Sequence, residues 1–359
     1  MRLTPPATLG LLTALVAPVV TGMGCSRDPG GGSATGPRTN PTTIIDDDYV
    51  LVGAHGATAF DAPPAQPVGA TGTHIGRGFG FVPSGEARAV GGRRYLRLRD
   101  GRWLAEADVN HVRPSTFSGT FLRVGPPRAG PSKASTGRPR GSGGALPLAW
   151  VVATIAPVFA APDGRPSGLA TRSHGARVAL AGPCRDGFCP LSTGWVRAAD
   201  LARPSLAPRP AAAGPRERWL DVDLASQTLV AYEGDEPVFA TLVSTGIGRP
   251  GSPFDTPTGV FRILSKHALV RMDNLEHTGV EPYAYDVPLT QYFTQDKALH
   301  AAPWHDQLGR PRSHGCVNLS PTDARWLFAF TSPAVPVGVD EVDGTPSHPG
   351  TLVRIRGQL

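Results

Sequence analysis

Glycine and proline recur so densely here that they limit what the chain can fold into. With 44 Gly and 38 Pro among 359 residues, few stretches run long enough without a breaker to build a helix. Proline removes a backbone donor and clashes with the preceding helical turn, while glycine costs more entropy to order than other residues. Short strands joined by turns remain, so the expected fold class is mainly β. The apolar runs between breakers agree with this. Tyr49-Val-Leu-Val, Tyr95-Leu-Arg-Leu, Leu229-Val-Ala-Tyr and Val238-Phe-Ala-Thr-Leu-Val have strand length, and Trp219-Leu-Asp-Val-Asp-Leu alternates as a half-buried strand does. One stretch departs. Ser320-Pro-Thr-Asp-Ala-Arg-Trp-Leu-Phe-Ala-Phe330 reads as a helix, capped by Ser320, with Pro321 in its first turn and Asp323 at the positive end of its dipole. Trp326, Leu327 and Phe330 form its inward stripe.

The length leaves room for two or three domains. A net charge of +6 suits a polyanionic neighbourhood such as a cell envelope. Nucleic acid is the other usual partner of a basic chain, but no recognition helix, zinc finger or aromatic-basic motif accompanies the charge, so no nucleic acid is expected. Residues 1–25 have the build of an export signal. Arg2 supplies the positive start, and Ala7 to Val20 form an apolar core too short to span a bilayer comfortably. The segment ends in Gly24-Cys25, which resembles the end of a bacterial lipoprotein signal, although Gly22 stands where leucine is usual. Lipidation of Cys25 would tether the protein to a membrane through the flexible segment 26–46, which contains Gly30-Gly-Gly-Ser-Ala-Thr-Gly. Plain secretion is the alternative.

Cys184 and Cys189 flank Arg-Asp-Gly-Phe as the two sides of a tight hairpin. In an oxidising compartment they suit a local disulfide, with two free thiols as the alternative. Cys316 stands apart, directly after Gly315 and downstream of His300, His305 and His314. A thiol with a pKa of roughly 8.5 is mostly protonated at neutral pH, so a nucleophilic cysteine needs a base or cation beside it. A histidine takes the proton and remains as an imidazolium partner. Gly315 permits a tight turn whose amides face an oxyanion. These residues point to acyl transfer through a thioester. Zinc held by His300, His305, His314 and Cys316 is a rival use of the same side chains, but their spacing fits no zinc motif, and no metal is expected.

The stretch from His300 to Ser313-His-Gly-Cys-Val-Asn318 resembles the signature of the L,D-transpeptidases (YkuD-like catalytic domains): a histidine, a spacer, then Ser/Thr-His-Gly-Cys-hydrophobic-Asn. The resemblance makes Cys316 the nucleophile and His300 its general base. Ser313, His314 and Gly315 would shape the catalytic turn, and Asn318 would brace it. Ala301 stands where the family often has Gly or Ser, whose carbonyl serves the imidazole. The spacer is slightly shorter than usual, which leaves His305 as a second candidate base. His300 is preferred because it follows a strand. The resemblance also implies that Tyr283 or Tyr285 lines the acyl pocket, and that Trp304, His305, Arg310 and Arg312 form part of an acceptor channel. The arginines either pair with stem carboxylates or are solvated. Asp255-Thr-Pro-Thr-Gly-Val-Phe resembles the family's Thr-Pro-x-Gly-x-Phe element, an architectural bend.

The likeness covers residues 217–357. It implies a β-sandwich-type catalytic domain with one or two helices, acting on peptidoglycan stem peptides in the periplasm without a cofactor. An amine of a second stem or of a wall-attached protein would resolve the thioester, and water would make the enzyme a carboxypeptidase. A wall-binding or scaffolding lipoprotein is the alternative from another class.

Upstream, Gly101-Arg-Trp-Leu-Ala-Glu-Ala-Asp-Val109 is echoed by Gly194-Trp-Val-Arg-Ala-Ala-Asp-Leu201, an internal repeat. Residues 148–203 resemble a small bacterial SH3-like barrel, and 47–112 a weaker copy. Such modules either bind wall polymers or act as spacers, and Trp103 and Trp195 are either ligand-facing or core residues. The acid-free basic stretch 124–146 reads as a disordered linker, and 204–216 as a Pro/Ala linker.

Overall fold

The structure, a computed structural model, describes residues 26–27, 48–122, 146–275 and 282–357. The export segment with Cys25, nearly all of the tether and almost all of the basic stretch 124–146 lie outside the described residues. The chain is mainly β, and Pro321–Phe330 is the one α-helix among the described residues. The Ser320 side chain accepts from the Asp323 N–H at 3.1 Å, and Pro321 occupies a position that needs no donor. Asp323 does more than meet the dipole. It is buried, accepts the Gly119 N–H and the Thr241 hydroxyl, and burial holds its carboxyl above the usual range. At the other end Lys266, fully buried, donates to the carbonyls of Phe328 (2.6 Å) and Thr331 (3.0 Å). Burial lowers its pKa to about 7.

Two sheets enclose the helix. In the first, Arg218–Asp223, Thr228–Glu233 and Glu236–Leu242 form an antiparallel meander, and Leu352–Arg356 returns parallel to the first strand. Alternation buries Leu220, Val222, Leu229 and Ala231 against Leu327 and Phe328. Each fully buried Leu or Phe is worth about 1.5–3 kcal/mol, so this face is a major source of stability. In the second sheet Ser265–Asp273 pairs with Ala284–Tyr292, which hands over to Ala298–Ala301 and Val317–Leu319.

The outer face of the first sheet is also covered. Trp219 donates its indole N–H to the Gly234 carbonyl at 2.7 Å and stacks on Tyr232 at 4.0 Å. Trp150 and Ala202 of the second module, with Leu146 just before it, join the same cluster. Residues 204–216, expected as a plain linker, are instead a packed strap. The Ala207 N–H donates to the Tyr232 hydroxyl, Arg354 donates to the Pro208 carbonyl, and Ala213 is buried. Proline and alanine carry few polar groups to bury, so such a stretch can lie on an apolar face. Thr120–Phe121 likewise adds an edge strand to Glu236–Leu242, with Phe121 against Phe239 and Trp326.

Both copies of the repeated motif adopt one local structure. Each runs from a strand through a 3-10 turn, Glu106–Asp108 or Ala198–Asp200, into a strand that pairs back on the opening strand of its module. Trp103 is a core residue, whereas Trp195 is half-buried beneath the Arg185 guanidinium. A disulfide joins Cys184 to Cys189 across a turn in which Asp186 and Gly187 take positive φ.

Candidate active site

Two parallel strands build the site. Their register sets His300 opposite Asn318 and Leu299 opposite Val317. Cys316 lies in the bend just before Val317–Leu319 and packs with Ala298, whose side chain shares a strand face with His300. Cys316 is fully buried and packs with Met272, Val287, Tyr292 and Ala298, with Tyr285 and Trp304 against that cluster. His300 is 3% exposed.

The His300 Nδ1 lies 2.8 Å from the Ala301 carbonyl oxygen. That oxygen can only accept, so Nδ1 carries the proton and Nε2 keeps its lone pair. Burial lowers the His300 pKa to about 4; the Ala301 bond opposes this and the nearby His305 adds to it. The ring is neutral at pH 7 and able to receive a thiol proton. Alanine serves at 301 because only its carbonyl is used.

His305 has a different employment. Its Nδ1 accepts the Gln307 N–H at 3.2 Å, so its proton sits on Nε2, which lies 2.9 Å from the Asn318 amide. A donor there needs the Asn318 oxygen as its acceptor. As placed, the amide turns Nδ2 towards Nε2 and leaves Oδ1 buried without a partner, and a half-turn of the amide satisfies both groups. Burial, reinforced by the Arg312 charge, lowers the His305 pKa to about 4. His305 is engaged at both nitrogens and braces Asn318.

The turn before Cys316 is held from several sides. Gly315 sits at φ 111°, and a Cβ there would lie 2.5 Å from the Lys297 Cε and 2.6 Å from the Asp255 carbonyl. The Ser313 hydroxyl accepts the Gly315 N–H at 3.1 Å and donates to the Cys316 carbonyl at 2.5 Å. The Gly315 amide is thus spent within the turn, and an oxyanion at the thiol draws its donors from other groups. Sequence reasoning missed two residues here. The Thr256 hydroxyl donates to the Gly315 carbonyl at 2.8 Å while accepting the Gly246 N–H. It belongs to the Thr-Pro-x-Gly element, which was the available signal. Lys297, 5% exposed, donates to the carbonyls of Pro253 (3.0 Å) and His314 (3.4 Å) and pairs with Asp296. Nothing in its sequence context marks it.

Aromatic rings line the approach. His314 stacks on Tyr283 with ring centres 5.1 Å apart, and burial lowers its pKa. Tyr285 stacks on Trp304 at 4.8 Å, and Trp304 lies 5.8 Å from His300. Arg312 is exposed and donates to the Gln307 side chain, whereas Arg310 donates to the Val152 carbonyl and is held by the second module. Among the described residues no three His, Cys, Asp or Glu side chains converge to hold a metal ion.

Fold and site together define a mainly β domain in which a buried imidazole on one strand and a buried thiol just before the next parallel strand lie at one centre. Residues 217–355 match the L,D-transpeptidase catalytic domain, YkuD. Over 101 residues the chain is 34% identical to L,D-transpeptidase 1 of Mycobacterium tuberculosis, a match covering 26% of this chain and 39% of that protein. Solved structures that resemble it include the catalytic domain of the E. faecium L,D-transpeptidase (24% identity, 39% of this chain, 98% of that chain, TM-score 0.29). Another is an L,D-transpeptidase from Mycobacterium smegmatis (20% identity, 50% of this chain, 82% of that chain, TM-score 0.31).

Proposed function

We propose that this chain is a peptidoglycan L,D-transpeptidase with a cysteine nucleophile. The Cys316 sulfur attacks the carbonyl between the third and fourth residues of a stem tetrapeptide, and the His300 Nε2 takes the thiol proton. The terminal D-amino acid leaves with that proton on its amine, and the stem remains as a thioester on Cys316. An amine of a second stem, or of a wall-attached protein, then attacks the thioester and releases the thiol. Tyr283, Tyr285 and Trp304 wall the acyl pocket, and Arg312 meets a carboxylate of the incoming chain. The carrying observation is the neutral, buried His300, whose Nδ1 is fixed by the Ala301 carbonyl so that Nε2 stays free to accept. The protein works in the cell envelope, on the periplasmic side, tethered to a membrane by a lipid on Cys25.

The test is intact-mass analysis of the full chain incubated with a disaccharide-tetrapeptide, beside Cys316→Ala and His300→Ala. The expected result is an acyl adduct, or a cross-linked product, with the unsubstituted protein alone. A folded chain that gives neither sinks the transferase reading and moves the assignment to wall binding. Mass labelling of Cys25 in cells grown with a fatty-acid analogue tests the anchor.

A further inference from the structure

The candidate site is not walled by the catalytic domain alone. The strand Gly80–Phe81 of the N-terminal module runs parallel to Ala284–Tyr292, with Gly80 opposite Tyr285. Asp286, 6% exposed, locks the two together. Its Oδ2 accepts the Val82 N–H at 3.1 Å, and its Oδ1 accepts Arg271 at 2.9 and 2.7 Å. The Arg271 guanidinium in turn lies over the Phe81 ring, and Ala284 is counted in the module's own apolar cluster. Through this contact Tyr49 reaches the site. It is 2% exposed, and its ring lies 5.7 Å from Trp304, the residue that faces His300.

We propose that the module 49–112 is a fixed wall of the active site, with Tyr49 the positioning residue that holds Trp304 against His300. This deepens the function proposed above and rests on Cys316 and His300 being its reactive pair. Trp304 sits on the loop between the two site strands and is only half-buried. Tyr285 stacks on it from the catalytic domain, and Tyr49 closes it from the module. The fit allows little slack, because a Cβ on Gly80 would stand 2.4 Å from the Tyr49 hydroxyl and 2.6 Å from the Tyr285 ring. The Tyr49 hydroxyl has no hydrogen-bond partner among the described residues, so the ring carries the contact. The consequence concerns specificity: the entrance beside the thiol is shaped by two parts of the chain, and the module limits what reaches Cys316.

The experiment is alkylation of Cys316 by iodoacetamide in the full chain, with the label located by peptide mass. Tyr49→Ala removes the ring, Gly80→Ala wedges it from Tyr285, and Tyr49→Phe keeps the stack. Alkylation of the two alanine variants is expected to speed up about tenfold, as Trp304 opens more often, while Tyr49→Phe stays at the parent rate. Phe60→Ala, in the module's far cluster with Tyr95 and Trp103, controls for destabilisation and should lower the melting temperature without faster labelling. Unchanged or slower labelling in folded Gly80→Ala and Tyr49→Ala overturns the proposal, and so does labelling of Tyr49→Phe that matches Tyr49→Ala. If Tyr49→Ala does not fold, Gly80→Ala decides alone. Iodoacetamide needs only a thiol, so failure of the stem peptide to acylate the parent chain would sink the transferase reading and leave this result readable.

Discussion

Removing one hydroxyl, in Ser313→Ala, should cost more than its size suggests. Ser313 Oγ accepts the Gly315 N–H and donates to the Cys316 carbonyl, and all three residues are buried. Its loss removes the acceptor of the Gly315 N–H and a donor to the Cys316 carbonyl. Each such group costs about 1–3 kcal/mol, so the pair amounts to roughly 2–4 kcal/mol if a water enters the space and partly compensates. The fold should survive, because the Thr245 carbonyl still receives the Arg312 and Ser313 N–H groups and Thr256 still holds the Gly315 carbonyl. What suffers is the aim of Cys316. The check pairs urea unfolding with the rate of acylation by a stem tetrapeptide. A fall of about 2–4 kcal/mol at constant m-value is expected, with acylation at least about tenfold slower and Ser313→Thr recovering both. A stability change under about 0.5 kcal/mol with acylation intact would refute the reasoning, because the hydroxyl would then be an ordinary surface-like substitution.

Acid should destabilise the chain through its buried imidazoles. His300 and His305 have folded pKa values of about 4 against an ordinary 6.5, so the unfolded chain binds protons that the native one refuses. The histidines' contribution is therefore full above pH 6.5 and falls as the pH drops towards 4, by up to about 3 kcal/mol per histidine from 2.5 units at 1.36 kcal/mol each. Urea titrations at pH 7 and pH 5 measure it, and equal midpoints would count against the buried neutral rings. His300→Ala should lower acylation at least about a hundredfold, as loss of a general base does, and His305→Ala far less; the reverse order in single-turnover rates would reassign the base. Gly315→Ala forces a Cβ against Lys297 and Asp255 at a left-handed φ, so it should cost at least about 2 kcal/mol in denaturant melts and abolish acylation. Asp221 is 1% exposed and pairs with Arg354 and Arg356, and since Arg356 keeps Asp223 as a second partner, Asp221→Ala should cost about 1.5–3 kcal/mol, chiefly by leaving Arg354 without its carboxylate. A melting temperature unchanged from the parent would mean the arginines find solvent instead.

The sequence by itself determined what depends on residues near one another along the chain. Breaker density makes strands the default, and alternation picks the face of Arg218–Asp223 that meets the helix, while burial of its other face comes from the rest of the chain. Ser320 and Pro321 start the helix because a cap needs only a side chain three residues from its N–H. The Ser313-to-Asn318 signature was legible for the same reason, since Ser313, Gly315 and Cys316 close their bonds within a single turn. Tertiary structure decided what comes from far away. The sequence prefers His300 over His305 as a base only because it follows a strand; the different hydrogen-bond partners of the two rings, the Ala301 carbonyl for one and Gln307 and Asn318 for the other, come from the fold. The 204–216 stretch reads as a linker because its composition is flexible, yet it packs because an apolar sheet face with Tyr232 lies beneath it. Tyr49 carries no local mark at all. It reaches Trp304 because the module is tied to the catalytic domain by the Gly80–Tyr285 pairing and the Asp286–Val82 bond, and contacts between residues so far apart leave no periodicity or spacing to read.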